Sequence, residues 1–97
     1  MDYKRPLAYP IWPKSGLLPP MDTLRGASMG ITNYLPREFL RRPHWLAAGN
    51  AVLLAARAEP PSAQLIEEAT EALVAALEAE DWMSHPRRLQ SLQNQDS

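Results

Sequence analysis

The sequence predicts a mostly α-helical protein: an αα-hairpin over about residues 43–58 and 62–83, preceded by a short helix and a proline-rich extended N-terminal arm. Three observations predict it. Two apolar runs with helical spacing flank a double proline, Pro60-Pro61. The chain holds 10 prolines in 97 residues, about twice the usual frequency, so much of the backbone is neither helix nor sheet. Five of them fall within residues 1–20. An αα-hairpin alone cannot bury both of its apolar stripes, so a third element is needed, from the first 42 residues or from another chain.

Residues 1–20, MDYKRPLAYPIWPKSGLLPP, read as the extended arm. Each proline fixes φ and pushes its predecessor toward extended geometry. The aromatic and aliphatic residues between them are not those of a flexible linker. Such an arm is built to lie against something. It either wraps its own domain or docks on another molecule, with Tyr3, Tyr9, Ile11 and Trp12 as the anchors. Residues 21–83 read as a small helical domain. Within it, MDTLRGASMGITNYL offers Asp22 or Thr23 as a cap, but Gly26 and Gly30 weaken a helix, and Ile31–Leu35 has extended character. A loop with one helical turn is expected there.

PREFLRR, residues 36–42, predicts a short helix with Pro36 at its first position and Phe39 and Leu40 facing inward. Arg37, Arg41 and Arg42 form a candidate anion-binding cluster, because guanidinium forks match carboxylate and phosphate groups. The alternatives are a solvated face or pairing with the acidic helix of the same chain. In the next helix Trp45, Leu46, Gly49, Val52, Leu53 and Ala56 recur at helical spacing. Gly49 in its middle costs about 1 kcal/mol relative to alanine, so with Asn50 it predicts either a break at this point or, as the favoured reading, close approach of the second helix. Pro60-Pro61 ends this helix, and Ser62 starts the next. There Leu65, Ile66, Ala69, Leu73, Ala76 and Leu77 mark the apolar stripe. Residues 84–97, SHPRRLQSLQNQDS, open on a proline stop and continue as a polar, flexible tail.

Net charge is −1, but its distribution is lopsided. Residues 1–58 carry eight Lys or Arg against three acids, and residues 59–97 carry two against eight. Every charge between Ser62 and Met83 is negative. The candidate acidic partner face is Glu67, Glu71, Glu78 and Asp81; Glu80 and Asp81 sit at the unfavourable end of the helix dipole. With no cysteine there is no disulfide, thiolate metal site or thiol nucleophile, which fits a cytoplasmic protein. No apolar run is long enough to span a membrane, and the first residues lack the apolar core of a signal peptide.

Catalytic signatures are absent from the sequence. The serines have no nucleophile-elbow context, and no glycine-rich phosphate loop occurs. His44 and His85 each lie near a tryptophan, Trp45 and Trp82. A hairpin brings these clusters together, with Glu80 and Asp81 close by. Two histidines and a carboxylate suffice for a metal or acid/base site, but no tight spacing supports one. The plainer expectation is an aromatic-polar cap on the open end of the hairpin, with no cofactor and no metal.

The function expected is therefore a non-catalytic protein-binding module, an adaptor or assembly subunit held to its complex or its own dimer mate by the arm. The alternative is a small inhibitor, of the kind phages and mobile elements carry. Its acidic helix would cover the basic surface of a nucleic-acid-handling partner. A further alternative is weak nucleic-acid contact through Arg37, Arg41 and Arg42 with Lys4 and Arg5, opposed by the net charge. No membrane contact is expected.

Overall fold

The computed structural model describes residues 2–83; the expected tail and His85 lie outside them. The chain is mostly helical, with a small two-stranded sheet near its N-terminus. Strand β1 (Pro6–Ile11) pairs antiparallel with β2 (Met21–Thr23), and the register shifts between Pro6↔Thr23 and Ile11↔Met21. Helix α1 (Leu24–Met29) runs into a π-helical turn, Gly30–Tyr34. Helices α2 (Arg37–Leu40), α3 (Pro43–Arg57) and α4 (Ala63–Ala79) follow.

Helices α3 and α4 pack on each other through Trp45, Ala48, Val52, Ala55 and Ala56 on one side and Ala69, Leu73, Ala76 and Leu77 on the other, all buried. The small residues let the backbones come close. The N-terminal segment supplies the third layer. Its prolines make it extended, as expected, and β1 lies along α4 with Leu7 and Ile11 buried in the same core. One polar link fixes this docking. The Ala8 backbone N–H donates to Thr70 Oγ1 at 2.9 Å, and Thr70 Oγ1–H donates to Ile66 O at 2.8 Å. Thr70 is fully buried, so both bonds are made away from water. Residues on either side of position 20 thus share one sheet and one core.

Residues 21–35 depart from the expected loop. Thr23 caps α1, its Oγ1 accepting from the Gly26 N–H at 3.0 Å. Leu24, Ala27, Gly30 and Ile31 then fall on one buried face. Gly26 and Gly30 do not prevent this because burial offsets their poor helix propensity. A Cβ at Gly30 would lie within 3.4 Å of Leu18 and 3.6 Å of Met21, so a small residue suits the contact. Ile31–Tyr34 is helical rather than extended; the chain straightens only at Leu35.

Gly49 also departs from expectation. Among the described residues no other backbone lies within 4 Å of where its Cβ would stand, and neither does any side chain. Its replacement by alanine is expected to stabilise the chain by about 1 kcal/mol, read as a higher urea midpoint at unchanged slope.

Pro60 and Pro61 separate the long helices, and the Glu59–Pro60 peptide is cis. Ser62 caps α4, its Oγ accepting from the Leu65 N–H at 3.2 Å. Helix α4 stops at Ala79 rather than near Met83, because the chain reverses there. Asp81 takes φ 61°, Asp81 N–H donates to Glu78 O at 2.9 Å, and Trp82 N–H donates to Leu77 O at 2.8 Å. These two bonds define a Schellman ending with aspartate where glycine is usual. The reversal sends Trp82 back onto the core.

Candidate functional site

Two polar anchors hold the N-terminal segment and the helix ends in place, and a third region is left facing solvent. The first anchor is Arg5, whose side chain is 9% exposed. A helix ends with carbonyls that lack intrahelical donors. At the end of α3, Arg5 Nη1 donates to Ala55 O and Ala58 O, each at 2.8 Å. The Asp2 N–H donates to Ala56 O at 2.9 Å. Glu59 lies 3.3 Å from Arg5 Nη2, and Asp2 lies 3.6 Å from Arg5 Nε. A cation at this end is also favoured by the helix dipole.

The second anchor is Glu80, the C-cap of α4, whose side chain is 8% exposed. His44 Nε2 and Trp45 Nε1 each lie 2.9 Å from Glu80 Oε2, and Arg42 Nη1 donates to both carboxylate oxygens. The contact with His44 requires the proton on Nε2. Burial pushes the Glu80 carboxyl up. The bonds from His44, Arg42 and Trp45 oppose it and hold the group below its ordinary value. Around this carboxylate the Arg42 guanidinium sits 4.2 Å over the Phe39 ring. Trp82 meets Phe39 and Trp45 at centroid distances of 5.4 and 6.1 Å. Of the two His-Trp clusters expected to meet, His44, Trp45 and Trp82 come together around Glu80, and His85 lies outside the described residues.

The loop after β1 closes over this cap. Lys14 N–H and Ser15 N–H donate to Trp82 O at 3.0 and 3.3 Å. Gly16 has φ +89°, and a Cβ on it would overlap the Trp82 indole. Gly16→Ala is expected to destabilise the chain by about 2 kcal/mol, through strain at positive φ and displacement of the ring. Urea unfolding followed by tryptophan emission measures it.

The sequence-derived residues divide accordingly. Of the arm anchors, Ile11 is fully buried and Tyr3 half-buried against the core, so Ile11 holds the arm to its own chain. Tyr9 and Trp12 are exposed, Trp12 at 68%. Beside Trp12 lies a depression of about 190 Å³ lined by Pro10, Trp12, Pro20, Met21 and Asp22. Of the acidic face, Glu67, Glu71 and Asp81 are exposed, and Glu78 is half-buried. In the arginine cluster, Arg37 and Arg41 are exposed, whereas Arg42 is bound to Glu80. Arg5, grouped with Lys4 as a nucleic-acid contact, is buried at the α3 terminus instead.

Sequence reasoning missed Arg5 and Thr70 as anchors; it placed Glu80 near the His-Trp clusters but not as the carboxylate that binds Arg42, His44 and Trp45 together. Among the described residues no group of three or more His, Cys, Asp or Glu is placed to hold a metal ion. Nor is any helix among them long and apolar enough to cross a membrane. No protein-family model, curated protein or solved structure matches the chain.

Proposed function

We propose that this chain is a small non-catalytic protein-binding module, an adaptor or assembly subunit, in which α3 and α4 act as an αα-hairpin scaffold that displays Tyr9 and Trp12 to a protein partner. One observation carries the reading. Trp12 is 68% exposed, yet it directly follows a strand whose inward residues Leu7 and Ile11 are buried. A tryptophan fixed to a docked strand loses little entropy on binding, and tryptophan and tyrosine dominate the energetic centres of protein interfaces. The prolines beside it, Pro10 and Pro20, line the adjoining depression and add rigid apolar surface without exposed N–H donors.

The inhibitor reading stays as the second. Glu67 and Glu71 stand one turn apart and are exposed, and among the described residues neither forms an ion pair. That is a surface suited to a basic partner. Direct nucleic-acid contact loses two of its cations, Arg5 and Arg42, to internal bonds.

In-cell photocrosslinking separates these readings. A benzophenone amino acid is placed at Asp22, which is exposed on the depression beside Trp12, at Glu71 or, as a control, at Arg37. The adaptor reading expects a discrete crosslinked partner from position 22 and none from position 71. The inhibitor reading expects the reverse, and a product of twice the chain mass indicates a homodimer. Trp12→Ala with Tyr9→Ala is expected to abolish capture while changing stability by less than about 0.5 kcal/mol.

A further inference from the structure

We propose that a cleft between the chain start, α1 and α3 is a binding site for a small amphipathic carboxylate. The site is separate from the Trp12 surface. A depression of about 350 Å³ is lined by Asp2, Tyr3, Lys4, Arg25, Ser28 and Met29. It shares the walls of Tyr3 and Ser28 with a narrower notch of about 110 Å³ that reaches Ile31, Thr32, Gly49, Val52 and Leu53. Together they reach the lower part of the range of small-ligand sites, about 300–1,000 Å³.

The two ends differ in chemistry. At the wide end Lys4 and Arg25 are exposed and have no carboxylate partner among the described residues. Asp2, on the same wall, is already answered. Its Oδ1 accepts from the Lys4 backbone N–H at 3.0 Å, and its Oδ2 faces Arg5 Nε at 3.6 Å. The local balance therefore favours an anion, and Arg25 offers the fork that suits a carboxylate. Ser28 lines both ends. At the narrow end the lining is mostly apolar, from Ile31, Val52 and Leu53, with Thr32 beside them.

Gly49 supplies the independent observation. Glycine inside a helix is a destabilising choice, and among the described residues no packing contact requires it, since a Cβ would meet nothing within 4 Å. What its small size does is leave the notch open. An acid with an apolar tail fits this polarity: the carboxylate between Lys4 and Arg25, the tail past Tyr3 into the space beside Gly49.

The test is a titration of the full chain with 4-phenylbutyrate, followed by amide chemical shifts, beside the same titration with neutral 4-phenylbutanamide. Saturable shifts are expected at Lys4, Arg25 and Gly49, with the neutral amide binding roughly tenfold or more weakly. Lys4→Glu with Arg25→Glu is expected to remove binding of the acid. Gly49→Leu is expected to weaken both probes by filling the notch, while spectra of both variants show the native fold. Equal binding of acid and amide, shifts centred on Trp12, an unaffected Gly49→Leu variant, or no saturable shift at millimolar probe would each overturn the proposal.

Discussion

Replacing Arg5 by methionine is expected to cost about 3 kcal/mol of stability and to lower the melting temperature by roughly 15 °C. Methionine retains much of the buried stem but removes the guanidinium. Ala55 O and Ala58 O then lose their donors at the end of α3, and Glu59 loses the cation beside it. A charge-assisted hydrogen bond contributes more than a neutral one, and a carbonyl left unpaired away from water costs further free energy. For a chain of this size the loss is a large part of the whole stability, about 5–15 kcal/mol for ordinary domains. Arg5→Lys keeps the charge but not the fork, since one ammonium cannot reproduce the geometry of a guanidinium reaching both carbonyls and Glu59. It is expected to recover less than half of the loss. Lys4→Met, one residue away and exposed, is the control and is expected to change little. Urea unfolding followed by circular dichroism gives all three values.

Glu80→Ala is the second large effect, about 3 kcal/mol at neutral pH. Arg42, His44 and the Trp45 indole all direct donors at this carboxylate, and Trp45 is among the most buried side chains of the core. Removing the acceptor leaves the indole N–H unsatisfied and the Arg42 charge without its partner. The effect depends on pH with a definite sign. The folded-state value of Glu80 lies below its unfolded one, near 4.5. The unfolded chain therefore binds the proton more readily, and acid favours unfolding. The stabilisation is fully present above about pH 4.5 and is lost as pH falls through the lower folded-state value. Glu80→Gln is expected to be less stable than the parent at pH 7, with the gap narrowing below pH 4.5. A gap that stays constant on acidification would show that the carboxylate is not ionised in the folded chain.

The helical part of the fold was legible because its signals are local. The double proline and Ser62 bound the two long helices, and the apolar spacing of α4 named Ala69, Leu73, Ala76 and Leu77, which are buried, whereas Leu65 and Ile66 are half-buried and the buried Thr70 and Val74 were not part of the stripe. Residues 21–35 misled because glycine propensity was weighed without tertiary burial. Leu24, Ala27 and Ile31 are held helical by the core they enter. Gly49 misled for the opposite reason, since a glycine that opens space reads the same as one that admits a backbone. The anchors were least legible. Arg5 reaches carbonyls 50 and 53 positions away, and nothing near it in the sequence marks a buried cation. Glu80 looked misplaced at the negative end of a helix dipole. The Schellman reversal at Asp81, and the donors brought to it by the start of α3, give it its role. Trp12 and Ile11 carried the same expected role in the sequence; the exposure of Trp12 and the burial of Ile11 beside it come only from the pairing of β1 with β2.

The central claim is that the N-terminal strand belongs to the fold and holds Trp12 rigidly outward. Native-state hydrogen exchange of the full chain tests it most directly, at the Ala8 amide that donates to Thr70. Exchange of Ala8 with the same opening free energy as Leu73 and Leu77 in α4 is the predicted result, because strand and helices then open together. Exchange of Ala8 by a low-energy local opening, while α3 and α4 stay protected, would contradict the account. The arm would then be a loosely held segment, and Trp12 would not be a fixed display.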